Sequence, residues 1–246
     1  PNPGMTAKTP PGYLTPVAYL WTRTVRCKNP SCGAVVPLVK QTWLCKEDKR
    51  YVAMRLVAPQ GKKRVRFEIV EAATEAGLGF DPSLGSKGGN TECPFCRGPV
   101  DSDYVKAEGC AGRMGQQMMA IVCTRPGKQG KVYLSADDYP EFVPDDEAIR
   151  QRIADLCERT GLTVPDEPMP AQGTLGFRVQ PYGVSTWSGL FSPRQMLCLL
   201  SFAASVAQAF QPGGQGFLSS DGGEPVGSQT GSQAGKPVLP GPSPTA

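Results

Sequence analysis

The sequence predicts an α+β protein: a β-meander framed by two cysteine knuckles, helices flanking it, and a low-complexity tail behind. Three observations predict this. Arg64 to Val70 alternates, with Val65, Phe67 and Ile69 on one face and Arg64, Arg66, Glu68 and Val70 on the other, the period of a half-buried strand. Pro144 to Arg159 carries Ala148, Ile149, Ile153, Leu156 and Cys157 as one apolar stripe at helical spacing. Cys27-x4-Cys32 and Cys93-x2-Cys96 are paired-cysteine turns on either side of the strand-rich stretch.

Residues 1–14 read as an open loop, with prolines at 1, 3, 10 and 11; a chain that begins at Pro1 reads as a segment of a longer protein. From Pro16 to Val25 the expectation is a helix, because Thr15 suits an N-cap and Pro16 suits the first helical position. The apolar run Val17 to Trp21 fits a buried strand as well. After the first knuckle, Ala34 to Leu44, Tyr51 to Val57 and Arg64 to Val70 read as three antiparallel strands, joined by turns at Lys46–Arg50 and Ala58–Lys63. Residues 74–91 form a glycine-rich loop. Asp101 to Gln117, broken by Gly109, Gly112 and Gly115, carries no clear period. Gln117–Cys123 and Lys131–Ser135 read as a hairpin around Arg125-Pro126-Gly127.

The helix from Pro144 starts on Asp145, Asp146 and Glu147, favourable at the positive end of the helix dipole, and stops at Gly161. A proline-rich loop spans Val164 to Gly173. The last helix opens on Ser192-Pro193-Arg194-Gln195, with capping-box spacing, and ends near Phe210. Residues 211–246 are mostly Gly, Pro, Ser and Gln and are expected to be disordered. The organisation is thus a ribbon and meander over 15–136, a helical and mixed segment over 137–210, and a tail.

The 246 residues include no histidine, which excludes histidine general bases, triads and imidazole metal ligands. Net charge is only +4, yet it is unevenly spread. Lys40 to Arg66 holds nine basic residues against Glu47 and Asp48, and Asp137 to Glu167 holds ten acids against three arginines. A basic face attracts phosphates, and a solvated strand surface has the same composition. No secretory signal and no apolar run of transmembrane length occurs, so the nine cysteines point to a reducing, cytoplasmic setting.

In that setting paired knuckles point to a structural metal. Zinc takes four thiolates tetrahedrally, and two turns can deliver two sulfurs each. The predicted ligands are Cys27, Cys32, Cys93 and Cys96, with Gly33 and Gly98 freeing the turns so that backbone amides approach the sulfurs. A redox pair at Cys93 and Cys96 is the competing chemistry. Cys45, Cys110, Cys123, Cys157 and Cys198 stand alone and read as core or incidental thiols, with Cys45 the nearest competitor as a ligand. Trp21, Trp43, Tyr51 and Phe67 offer faces for bases but suit core packing better.

Several blocks resemble the zinc-ribbon region of DUF1156-type adenine-specific DNA methylases. They are Val17-Ala-Tyr-Leu-Trp-Thr-Arg-Thr-Val-Arg-Cys-Lys-Asn-Pro-Ser-Cys-Gly33, Glu108-Gly-Cys-Ala-Gly-Arg-Met-Gly115, Gly173-Thr-Leu-Gly-Phe-Arg-Val-Gln180, and Trp187 to Leu200 with Leu190-Phe-Ser-Pro-Arg-Gln195. The resemblance spans about residues 15–208. It implies a Rossmann-like methyltransferase that carries a methyl group from S-adenosylmethionine to adenine N6 in DNA. The family's Asp-Pro-Pro-Tyr tetrapeptide is not in this chain, nor does a strand, glycine-rich loop and helix open it for S-adenosylmethionine. The expectation is therefore a zinc-bearing segment that is not catalytic alone, with DNA and the remaining methylase domains, in cis or in trans, as partners. Candidate DNA contacts are Lys62, Lys63, Arg64, Arg66 and Arg113. A stand-alone zinc-ribbon module for nucleic-acid or protein interaction is the alternative.

Overall fold

The computed structural model describes residues 13–209 and 239–240. The described residues divide into two compact units, one made of residues 13–143, 181–183 and 239–240, the other of residues 144–180 and 184–209.

The first unit opens with strand β1, Tyr13–Arg26. This overturns the expected helix over Pro16–Val25, and also takes Tyr13 and Leu14 out of the open loop. The stretch is rich in β-branched and aromatic residues, which favour a pleated surface. The apparent cap at Thr15-Pro16 has another role. Proline lacks a donor, and the register with the neighbouring strand shifts between Pro16 and Ala18, an irregularity that accommodates it.

The expected first meander strand, Ala34 to Leu44, is two strands. β2, Val35–Pro37, folds back on β1, with Val25 opposite Val36. β3, Trp43–Glu47, instead pairs with β4, Arg50–Val57, and β4 pairs with β5, Arg66–Ala72. A three-stranded antiparallel meander is present as expected, but its first strand is Trp43–Glu47 and not Ala34–Leu44. Two short strands follow, β6 at Thr91–Glu92 and β7 at Pro99–Val100, paired to each other. Helix α1 covers Ser102–Cys110, in the stretch that carried no clear period; Asp101 caps it by accepting from the Tyr104 amide at 2.8 Å. β8, Gly115–Thr124, and β9, Lys131–Ser135, form the expected hairpin, and β8 lies antiparallel along β1.

The meander and the β1–β8–β9 sheet share a core. Met54, Val65 and Phe67 from the meander are buried with Ala120 of β8, and Leu20 packs against them. The edge of β5 is closed by side chains. Ser135 donates to the Phe67 carbonyl, the Asp137 carboxylate accepts from the Phe67 amide at 2.9 Å, and buried Gln117 donates to the Val65 carbonyl at 2.8 Å. These bonds give buried backbone groups partners that strand pairing does not supply.

In the second unit, α2 covers Asp146–Thr160 and α3 covers Pro193–Ala209. Asp145 caps α2 and Gly161 ends it in the left-handed conformation at φ 69°. Ile149 and Ile153 of α2 bury against Met196 and Leu200 of α3. The capping box holds in both directions: Gln195 accepts from the Ser192 amide at 2.8 Å, and the Ser192 hydroxyl from the Gln195 amide at 3.4 Å. No helix among the described residues is long and apolar enough to cross a membrane. The expected disordered tail, 211–246, lies outside the described residues except for Leu239–Pro240, which pairs with Tyr13 and Leu14 as the short strand β10.

Candidate metal centre

Each cysteine knuckle is the tip of a hairpin. The first joins β1 to β2. Its Asn29 carbonyl accepts from the amides of Cys32 and Gly33 at 3.0 and 3.1 Å, and the Cys27 amide donates to the Ala34 carbonyl at 2.7 Å. Gly33 takes φ 59°, the conformation glycine was expected to supply. The second joins β6 to β7, with the Cys93 amide on the Gly98 carbonyl at 2.9 Å. Here the left-handed residue is Arg97, at φ 60°, and not Gly98. Gly98 serves by being small, because a side-chain carbon there would come within 3.3 Å of the Cys96 sulfur.

The two tips meet. Cys27 Sγ lies 3.6 Å from Cys96 Sγ, and Cys32 Sγ lies 3.7 Å from Cys93 Sγ. All four sulfurs fall within 4.8 Å of one another. Sulfurs at the corners of a tetrahedron, each about 2.3 Å from a central ion, are about 3.8 Å apart, so the spacing suits one metal ion. Cys27, Cys32 and Cys93 are buried and Cys96 is exposed. Cys45, the nearest competitor, lies away on β3 and is not part of the cluster.

The thiols differ in acidity. The Gly98 backbone amide holds Cys96 down at about 7. Burial pushes Cys27 up to about 12, and burial likewise raises Cys93. A metal ion must therefore displace at least the Cys27 proton at neutral pH, and its hold weakens on acidification. Helix α1 braces the site from outside. Lys28, inside the first knuckle, pairs with Asp101 at 2.8 Å, and the Tyr104 hydroxyl donates to the Arg26 carbonyl at 3.1 Å. Lys28 also holds the Asp101 carboxyl below its ordinary range.

The five expected DNA contacts differ in their pairing. Lys62, Lys63 and Arg64 lie exposed on the β4–β5 turn and make no ion pair with any described residue. That turn is tied to the first knuckle, because the Val35 amide donates to the Lys63 carbonyl at 2.6 Å. Arg66 is paired with Asp138 at 2.7 Å. Arg113 is clamped on Glu108, its Nε 3.1 and 3.2 Å from the two carboxylate oxygens. Much of the basic meander is likewise neutralised: Lys46 by Glu75, Arg50 by Glu71 and Arg55 by Glu68. Of the aromatic candidates, Phe67 is fully buried, Lys46 covers the Trp43 ring at 3.8 Å, and Tyr51 meets that ring edge-on.

Fold and site together define an α+β protein with a four-cysteine candidate metal centre at the junction of two hairpins. Compared with protein-family models, curated proteins and solved structures, the chain matches none.

Proposed function

We propose that this chain is a zinc-bearing segment of an S-adenosylmethionine-dependent DNA adenine-N6 methyltransferase, in which zinc is structural and the ribbon positions DNA. The observation that carries the reading is the four-thiol cluster whose first knuckle leads into β2, which holds a turn of three exposed cations that make no ion pair with any described residue. Four thiolates with no histidine or open position suit a structural zinc and leave no site for a metal-bound water. The bond from Val35 to Lys63 makes the metal knuckle the support of the Lys62–Arg64 turn. The sequence blocks around Trp21, Arg113, Phe177 and Pro193 supply the methylase part of the reading. Methyl transfer itself belongs to residues outside these 246. A redox pair is disfavoured because Cys93 and Cys96 each face a thiol of the other knuckle.

Two measurements test this. Elemental analysis of the purified protein is expected to give about one zinc per chain, lost in Cys93→Ser and kept in Cys45→Ser. Iron, or no metal in reduced folded protein, would overturn the zinc assignment. Fluorescence anisotropy with a short DNA duplex at low salt is expected to detect binding. Replacing Lys62, Lys63 and Arg64 by alanine is expected to flatten the salt dependence by up to about three units of slope, near 0.9 for each phosphate left without its cation. No binding by the intact protein would sink the DNA role.

A further inference from the structure

The β8–β9 connection is a second cationic surface, in a place where the sequence alone shows only a turn. It carries Arg125, Lys128 and Lys131, all exposed, and none forms an ion pair with a described residue. The cations of β4 and β5 differ: Arg50, Arg55 and Arg66 each face a carboxylate. Like charges repel one another, so three on one short connection with no carboxylate partner among the described residues raise the local potential.

The connection is also held in place. The Arg50 guanidinium donates to the Lys131 carbonyl at 2.8 Å while its Nε holds Glu71 at 2.9 Å. Gly130 takes φ 92°, and a side-chain carbon there would lie 3.4 Å from Arg50, so glycine lets the loop settle over the guanidinium. Gly127 supplies a second left-handed turn at φ 68°. Beneath the loop, between β5 and β9, lies an open cleft of about 1040 Å³. Arg125, Lys128 and Lys131 line it, with Tyr133, Tyr139 and the already paired Glu71 and Asp138.

The two cationic surfaces sit at opposite ends of β5. Ala72 pairs with Tyr51, next to Arg50 and so beside the β8–β9 loop, whereas Arg66 pairs with Val57 beside the Lys62–Arg64 turn. The seven residues of β5 set them on the order of 20 Å apart, at roughly 3.3 Å per residue. That length matches about six base-pair steps of one nucleic-acid strand, at 3.4 Å per step.

We propose that Arg125, Lys128 and Lys131 form a second phosphate-backbone contact, so that nucleic acid is held at both ends of β5. This rests on the DNA-positioning reading above. Lysine and arginine on a braced loop read charge and spacing, not sequence, so the contact supplies affinity and register rather than base choice.

The experiment compares four forms of the full chain with its metal: unaltered, Arg125→Ala/Lys128→Ala/Lys131→Ala, Lys62→Ala/Lys63→Ala/Arg64→Ala, and the two triple variants combined. Each is titrated into a fluorescent 20-base-pair duplex over a range of salt, with metal content and melting temperature as checks on folding. All substituted side chains are exposed, so unchanged melting is expected. The Arg125 triple variant is expected to bind at least about tenfold more weakly at low salt, with its slope reduced by up to about three. The two triple variants combined are expected to lose binding. If only the Lys62 variant weakens binding, the second contact is overturned while the DNA reading stands. If the unaltered chain does not bind the duplex, both fall.

Discussion

Glu108 is a carboxylate whose side chain is 7% exposed, and Arg113 is the cation that answers it. A buried charge without a partner is costly, and a guanidinium gripping both carboxylate oxygens offsets much of that cost. The pair holds the Glu108 carboxyl below its ordinary range. The stability it contributes is therefore present above the unfolded value, near pH 4.3, and is lost as pH falls through the lower folded value. Arg113→Met is expected to destabilise the fold at pH 7, by less than removing the partner of a fully buried charge would, because Arg113 is 61% exposed. Adding Glu108→Gln is expected to recover most of the loss, since no uncompensated charge then remains. Urea unfolding at pH 7 and pH 3.5 checks both statements. A penalty for Arg113→Met that is as large in acid as at neutrality would show that the ion pair is not its source.

Helix α1 is the element where local preference and packing disagree. Gly109 sits in its last turn, and a side-chain carbon there would collide with the Tyr182 carbonyl; at Gly183 it would collide with Gly109 itself. The Pro181–Gly183 segment thus lies directly on the helix backbone, with Cys110 Sγ donating to the Pro181 carbonyl at 3.3 Å. Helix propensity alone says Gly109→Ala stabilises by up to about 1 kcal/mol. The close approach says the opposite, a net loss of about 2 kcal/mol. The sign of the melting-temperature change decides, and an increase would mean the segment can move aside at little cost. The same conflict explains what was legible. Where local signals act alone, the sequence was readable: the alternation of β5, the stripe of α2, the capping box of α3, and the two knuckles with their cysteine spacing. β1 reads as a helix in sequence because Thr15-Pro16 resembles a helix start, and the deciding partner, β8, lies about a hundred residues away. α1 carries no readable period because the glycines of its stretch resemble a loop, although two of them serve close approaches, Gly109 to the Tyr182 carbonyl and Gly115 to Thr24. The Glu108–Arg113 pair is not legible although both residues sit in one block, because burial of the acid is not visible in sequence.

Across the first unit most of the buried apolar side chains fall into three clusters of unequal strength. The cluster around the cysteines consists of Val25, Val36, Val100, Val105, Ala34 and three of the thiols, with nothing larger than valine fully inside. The other two contain Phe67, Met54 and Val65, and Leu14, Met118 and Ile121. Small side chains bury little apolar area, so the cysteine cluster lacks the hydrophobic stabilisation available to its neighbours. A metal ion held by the four thiols would add cohesion here and close a loop of more than sixty residues between Cys27 and Cys96. Phe95 packs against both this cluster and that of Phe67, so the second knuckle has one apolar tie that the first lacks. Chelation is therefore expected to act locally. Amide hydrogen exchange should speed up most at residues 27–36, less at 91–105, and least at Met54, Phe67 and Ile121, whose strands keep their pairing and their core. The Lys62–Arg64 turn, which hangs on the Val35 amide, should lose protection with the first knuckle, and duplex binding should weaken with it. Uniform loss of protection across the unit would mean the metal holds up the whole fold. Unchanged exchange after the metal is removed would mean the thiols and their small core suffice, and the ribbon would no longer be the support of the basic turn.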